Sequence, residues 1–293
     1  MPAGKPAGVL LSGGAMPMLH TGYKRDAAHK RTQKPVGALL AGYGSAAIPD
    51  TFSLRDQEGA ILDQGPTESC GGAGTSGGLQ VAANAAGAPL GFVPSPGGIY
   101  VSARSIERAA ATVPNLSLPP LQDTGVMPAD VMTGLALWGI RPMRGPTADG
   151  RNYDLDENNV NDEPVLDDLE TSSMKIIAGE YRIEETSSNL VALVKQSLYV
   201  ARAPVGDGNF VDSSVMNFTA TSAPVGTPNY GDPKGGGHWT CIVGYRLEAD
   251  GTTSVEVLNS WGSSYGDAGH FWGSQSWLES CSDLYSWTLR RAV

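Results

Sequence analysis

The sequence predicts an α+β fold, on three observations. Apolar residues recur at helical spacing through the first half, alternating strand-like patterns fill the last third, and no segment repeats along the chain. With 293 residues, 41% hydrophobic and 17% charged, the chain can bury a sizeable core and does not read as disordered throughout.

The elements follow in order. Residues 1–50 are rich in Gly, Ala, Pro and Lys with little periodicity, and read as an N-terminal basic extension ahead of one domain over residues 51–293. Six basic residues there (Lys5, Lys24, Arg25, Lys30, Arg31, Lys34) meet only Asp26 and Asp50, so the extension carries +4 and the remainder −14. "DTFSLRDQEGAILDQG" reads as extended chain with short strands. "CGGAGTSGGLQVAANAAG" reads as a helix despite six glycines, each costing up to about 1 kcal/mol relative to alanine. Such a helix survives only if neighbours pack on most of its sides. "SPGGIYVSARSIERAA" starts a second helix at Ser95 and Pro96, and "MPADVMTGLALWG" is a third, with Val131, Leu135 and Trp138 near helical spacing. Nine acidic residues and one arginine between Asp149 and Glu170 read as a solvated loop. "SSNLVALVKQSLYV" places Leu190, Leu193, Val194 and Leu198 on one stripe of a fourth helix. After a Gly/Pro-rich linker, "HWTCIVGYRLEADGTTSVEVLNSWG" alternates and turns at Asp250-Gly251, a hairpin signal.

Bulk properties exclude several function classes. A net charge of −10 argues against nucleic-acid binding, which needs clustered Lys and Arg to neutralise phosphates. No apolar run approaches the roughly 18 to 20 residues that span a bilayer, and "GVLLSGGAMPML" is short, broken by glycines and unconvincing as a signal peptide. The expectation is a soluble protein of unassigned compartment, without membrane insertion. Three cysteines, Cys70, Cys241 and Cys281, make no disulfide framework, and Cys241 and Cys281 are expected as free core thiols.

The chemistry gathers around Cys70. A cysteine nucleophile needs a partner that keeps it as thiolate, a group orienting that partner, and donors aimed at the oxyanion. Cys70 stands where a helix would begin, and a helix N-terminus favours negative charge. Gln64 precedes it at loop distance. Of the four histidines, His238 opens the apolar strand "HWTCIVGY" after a glycine loop, and "LNSWGSSYGDAG" puts Asn259 at a strand end with Trp261 two residues on.

Together these blocks resemble the papain-like cysteine peptidases. Gln64, Gly65 and Cys70 match the family's spacing of glutamine, glycine, four residues and cysteine; "GHWTCIVGY" matches its histidine block; and Asn259, Ser260, Trp261 and Gly262 match its Asn-Ser-Trp-Gly block. The resemblance covers roughly residues 50 to 280. It implies a helical lobe holding Cys70, an antiparallel strand-rich lobe holding His238 and Asn259, and a cleft between them. It implies Cys70 as nucleophile, His238 as proton-transfer partner, Asn259 as orienter of its imidazole, and Gln64 with the Cys70 N–H as oxyanion hole. Trp261 would shield the Asn–His hydrogen bond, and Gly125, Gly237 and Trp239 would line the substrate groove. The implied reaction is peptide-bond hydrolysis through an acyl-enzyme by a monomer acting on peptides or proteins, with no metal and no organic cofactor. Two other readings stay open: a cell-wall peptide amidase or transpeptidase, and a catalytically silent relative serving as a binding or structural component, for example of a viral particle.

The chain departs from the family pattern at several places. Gly71 replaces a bulky aromatic and is expected to leave a hole or extra backbone freedom. Thr67 replaces a cysteine, which removes a disulfide. Glu68 replaces a glycine and sets a carboxylate near the thiol, raising its pKa. Trp239 replaces a small residue and is expected to narrow the pocket for the second substrate side chain upstream of the cut, favouring small side chains there. The separations from Cys70 to His238 (168 residues) and to Asn259 (189 residues) are longer than usual, and insertions at Asp149–Glu170 and Gly206–Gly237 would account for them. The basic extension has two readings: a segment that blocks the cleft until cleaved, or a tail or docking arm.

Overall fold

The computed structural model describes residues 22–25, 34–44, 46–111, 120–143, 160–161, 176–184 and 188–291. The first elements are strand β1 (Lys34–Pro35), helix α1 (Val36–Leu40) and strand β2 (Thr51–Ser53). Three longer helices follow, α2 (Cys70–Ala85), α3 (Pro96–Ala111) and α4 (Pro128–Trp138). The remainder runs β3 (Ile176–Arg182), α5 (Leu190–Tyr199), β4 (Val205–Val211), α6 (Ser213–Met216), β5 (Gly236–Leu247), β6 (Thr253–Leu258), β7 (His270–Gly273), α7 (Gln275–Glu279) and β8 (Asp283–Arg291). The strands form one sheet in the order β1-β3-β8-β4-β5-β6-β7, with β2 added beside β5. Every pairing is antiparallel except β1 with β3. Helices α2, α3 and α4 pack on one another, and α2 also packs on β5 and β8.

Helix α2 is the element on which these layers converge. Every residue from Cys70 to Ala83 is buried, which is why a sequence so poor in helix formers holds as a helix. A β-carbon at Gly72 would lie 2.2 Å from the Pro96 carbonyl oxygen, one at Gly74 2.8 Å from that of Trp239, and one at Gly78 1.9 Å from the Trp287 ring. The missing side chains therefore let α3, β5 and β8 approach from different sides. Packing supplies what intrinsic propensity withholds.

The other helices begin and face as their sequences predict. Ser95 accepts a hydrogen bond from the Gly98 N–H (2.9 Å) and caps α3, with Pro96 as its first residue. Leu190, Val194 and Leu198 form the buried stripe of α5. The β5–β6 hairpin closes through Gly251, whose φ of +84° suits glycine.

Packing changes well before residue 50. Val36 and Leu39 are in the hydrophobic core and Lys34–Pro35 pairs with β3, so residues 34–40 belong to the body and not to an extension. A five-residue helix is too short to produce a readable period. The segment Gly206–Gly237 is likewise no linker. It contains most of β4, a strand in the middle of the sheet between β8 and β5. Its sequence, "VGDGNFV", hides the alternation because Gly206 and Gly208 stand opposite aromatic rings. Of the acidic segment Asp149–Glu170 only residues 160 and 161 are described, and Val160 is buried; the rest lies outside the described residues. Among the described residues no helix is long and apolar enough to cross a membrane.

Because the atom facing Gly72 is rigid backbone, Gly72→Ala should destabilise the fold by about 1–3 kcal/mol. Gly37→Ala, where a β-carbon meets nothing within 4 Å, should be neutral or slightly stabilising. Denaturant unfolding of the two variants measures the contrast.

Candidate active site

Cys70 is the first residue of α2 and fully buried. The loop before it is fastened by side chains in place of a disulfide. The Thr67 hydroxyl donates to the Gln64 carbonyl (2.7 Å) and also meets the Ser69 hydroxyl. Gln64 is oriented from three directions: its Nε2 donates to the Thr67 carbonyl (2.8 Å), its Oε1 accepts from the Ser260 hydroxyl (2.7 Å), and its backbone N–H donates to the Ser260 carbonyl (2.9 Å). Asp63 bridges Trp261 and the Gly262 N–H donates to the Leu62 carbonyl. The strand-like segment carrying Gln64 is thus zipped to the one carrying Asn259.

His238 is the first buried residue of β5, in register with Asn209 of β4. Cys241 pairs with Leu258 at the end of β6, so the chain leaving β6 runs back along β5 and carries Asn259 and Trp261 past His238. The Asn259 Oδ1 accepts a hydrogen bond from the Ser260 N–H (2.8 Å), which identifies that atom as the oxygen. The His238 Nε2, 2.8 Å from the same oxygen, is therefore the protonated ring nitrogen. This leaves the lone pair on Nδ1, a buried atom without a hydrogen-bond partner. The Trp261 indole stacks on the imidazole, with centroids 4.7 Å apart and planes at 25°.

The two halves meet at the sulfur. Trp239, the residue after His238, lies against α2, its carbonyl oxygen 2.8 Å from where a β-carbon on Gly74 would stand. Residues Gly22–Lys24 occupy the groove beside the sulfur. The Gly22 N–H donates to Sγ (3.3 Å), the Tyr23 N–H to the Gly237 carbonyl (3.0 Å) and the Lys24 N–H to the Val126 carbonyl (3.0 Å), while the Val126 N–H donates to the Gly22 carbonyl (2.8 Å). The Tyr23 bridge to Val126 is parallel. Lys24 pairs with Glu107 at 2.8 Å, half-exposed, a contact of the kind that adds little stability.

Burial sets the charge state of the covered site. It pushes the Cys70 thiol up to about 12, against the N–H groups of Trp239, Gly22 and Gly71, and the Glu68 carboxylate adds to the rise. Burial also depresses His238 to about 4, against its hydrogen bond to Asn259. Both groups are neutral at pH 7 in this arrangement. Neither ion would be hydrated there while the groove is filled.

The groove residues expected from the sequence lie around Gly22–Lys24 with changed duties. Gly125, with φ of +75°, passes so close that a β-carbon would lie 1.9 Å from the Gly22 carbonyl oxygen. Its N–H donates to the Tyr100 hydroxyl (2.9 Å), so the backbone bonds to the segment come from Val126, one residue on. The Tyr100 hydroxyl donates to Asp123 (2.7 Å), and both Asp123 oxygens accept from the Glu68 N–H. This network ties the groove wall to the Cys70 loop, and nothing in the sequence marked Tyr100, Asp123 or Val126 for it. Gly237 offers its carbonyl to Tyr23. Trp239 is 1% exposed, with its ring facing that of Tyr23 across 6.0 Å. Gly71 leaves no hole: a β-carbon there would lie 2.3 Å from a Val126 methyl, which fills the space. All three cysteines are buried and none is in a disulfide.

No protein-family model and no curated protein sequence matches the chain. Solved structures do. Xylellain, a cysteine protease from Xylella fastidiosa, superposes with a TM-score of 0.67 at 22% identity over 92% of this chain and 96% of its own. The procathepsin B S9 of Trypanosoma congolense gives 0.62 at 13% identity, over 92% and 87%. The digestive procathepsin L2 of Tenebrio molitor gives 0.59 at 19%, over 95% and 81%. With helices α2 to α4 on one side of a predominantly antiparallel sheet and the groove where they meet, the chain has the papain-like α+β fold.

Proposed function

We propose that this chain is a cysteine peptidase and that residues Gly22–Lys24 hold its groove shut in the form described. The observation that carries the reading is the placement of His238. Its lone pair is fixed on a buried Nδ1 by the hydrogen bond to Asn259, and α2, which begins at Cys70, packs at backbone distance on Trp239, the next residue along the strand. A base with a preset tautomer therefore stands beside a thiol at a helix N-terminus. Xylellain, the structural neighbour named as a cysteine protease, supports the same reading.

When the segment leaves, water enters, the desolvation that keeps both groups neutral is relieved, and the Cys70 proton passes to His238 Nδ1. The thiolate attacks a substrate carbonyl carbon, and the carbonyl electron pair becomes an oxyanion. That oxyanion would face the Cys70 N–H at the start of α2 and the second hydrogen of Gln64 Nε2, held in place by Thr67 and Ser260. The tetrahedral species collapses as the C–N bond breaks and His238 returns its proton to the leaving amine. Water, deprotonated by His238, then hydrolyses the thioester and restores the thiol. Asn259 holds the imidazole and Trp261 keeps water from the Asn259–His238 bond.

In the groove the Gly22 N–H points at Sγ, and Tyr23 pairs in parallel with Val126 of the wall. Inhibition by the chain's own residues is consistent with that geometry.

Hydrolysis of fluorescently labelled casein by the Tyr23→Ala full-length protein tests the mechanism: Cys70→Ala or His238→Ala on that background should lower the rate by about 10³-fold or more. Rates unchanged in either variant would refute the assignment. The covering segment has its own test. Iodoacetamide reacts with thiolate and reaches the buried Cys70 only when the segment leaves, so labelling of the unaltered chain at pH 7 should be slower than that of an exposed cysteine. Tyr23→Ala should raise the rate at pH 7 by about 10- to 100-fold, the range set by loss of one buried aromatic side chain. Equal rates in both proteins would remove the inhibitory role.

A further inference from the structure

A second buried histidine holds the loop that follows Asn259 and Trp261. His270 opens β7, is fully buried, and stands in register with Leu258, the residue before Asn259. Its Nε2 lies 2.6 Å from a Glu58 carboxylate oxygen. Its Nδ1 lies 3.1 Å from the Ala268 carbonyl oxygen and 3.2 Å from that of Asp267. A neutral imidazole has one N–H, so beside an ionised Glu58 it would turn a lone pair either on the carboxylate or on the two carbonyls. The arrangement is complete only when the pair of His270 and Glu58 carries one further proton.

The charged groups around the ring favour that proton. Arg55, in the turn after β2, donates to the Asp267 carboxylate (2.8 Å), to the Asp267 carbonyl (2.7 Å) and to Glu256 of β6 (3.0 Å). Its guanidinium holds the Asp267 carboxyl below the usual range, so that group is ionised. Glu256 also accepts from the Ser53 hydroxyl. Burial, with the Asp207 and Glu58 carboxylates adding, pushes the Cys241 thiol of β5 well above its ordinary value, so it stays neutral. Arg55 is thus taken up by Glu256 and Asp267, and the Glu58 carboxylate faces His270. Negative charge nearby favours an imidazolium.

The loop that this ring holds backs the candidate site. The Gly269 carbonyl accepts from the Asn259 N–H (2.9 Å), and the Gly269 N–H donates to the Tyr265 carbonyl (2.7 Å). Tyr265 stands edge-on to Trp261 with centroids 4.9 Å apart, and Trp261 lies on the His238 ring. The turn needs fastening: Ala268 and Gly269 have φ of +50° and +93°, and alanine rarely enters that region.

We propose that His270 is a positioning residue for the Cys70, His238 and Asn259 site, and that the proton it shares with Glu58 makes this support pH-dependent. The inference rests on the peptidase reading of that site. At low pH the imidazolium spans Glu58 and the two carbonyls. When the proton leaves, a lone pair meets an acceptor, the 267–269 turn loosens, and Asn259 and Trp261 lose their backing. The extra proton belongs to the folded pair, so the support is present on the acid side and lost as the pH rises. Glu58→Gln removes the dependence, because an amide N–H donates to Nε2 while a neutral ring keeps its Nδ1–H for the carbonyls.

The test compares the full-length Tyr23→Ala protein with the same protein carrying Glu58→Gln. Long-range proton–nitrogen spectra of the histidine rings, assigned by replacing His20, His29 and His238 in turn, should show both His270 nitrogens protonated at about pH 6 in the parent and Nε2 unprotonated in the variant. The rate of casein hydrolysis by the variant, divided by that of its parent, should rise by about 10- to 100-fold as the parent His270 loses its proton, the scale set by small displacements of reacting groups. A residue that serves stability alone would give a ratio constant with pH. A single protonated nitrogen on the parent His270 at every pH, or a ratio that stays flat while the ring titrates, would overturn the inference and leave the peptidase reading standing. The spectra of the parent decide the proton count even if the variant does not fold. If neither protein hydrolyses casein at any pH, the peptidase reading falls and the positioning role with it.

Discussion

The close meeting of α2 with β5 is the constraint on which the rest of the molecule depends. Gly74 lies against the Trp239 carbonyl and Gly72 against that of Pro96, so the helix approaches strand and neighbouring helix at backbone distance. That approach sets the start of α2, where Cys70 stands, against the strand that carries His238. Larger side chains on α2 would push the sheet away and separate the thiol from its base, so the glycines that weaken the helix locally make the site geometrically available.

The same closeness governs charge. With Gly22–Lys24 in the groove, the backbone donors at the sulfur are outweighed by loss of hydration, and the imidazole fares likewise despite Asn259. An ion pair in a dry interior gains Coulomb energy only against a large desolvation cost. Here the neutral pair wins while the groove is filled. On the proposed mechanism, covering the site acts twice: it blocks access, and it removes the charge separation that the chemistry needs.

Rigidity around the dyad comes from backbone zippers and hydroxyl networks, not from cross-links. The pairing of residues 62–64 with 260–262 makes Gln64 and Asn259 parts of one unit, and Thr67 ties the Cys70 loop to Gln64 where a bridge is lacking. On the opposite wall the Tyr100–Asp123 pair connects Gly125 to Glu68. Such supports hold reacting groups in place before substrate arrives, which is what electrostatic stabilisation of a transition state requires.

By itself the sequence determined which residues stand as candidates for the chemistry. Cys70 at a helix start, His238 at a strand start and Asn259 at a strand end are readable because each lies at the boundary of a local pattern, and local patterns depend on near neighbours along the chain. The α2–α5 helices and the β5–β6 hairpin were legible for the same reason. Tertiary structure decided what those patterns do not encode. Strand β4 is hidden by glycines whose partners are rings from β5, β8 and residue 23; Val126 fills the space opposite Gly71; Asp283 of the last strand accepts the Tyr23 hydroxyl; and Gly22 lies on the sulfur across 48 positions of chain. Each of these is a contact between residues far apart in sequence. Its energy comes from mutual burial, which no single segment carries before the chain has folded.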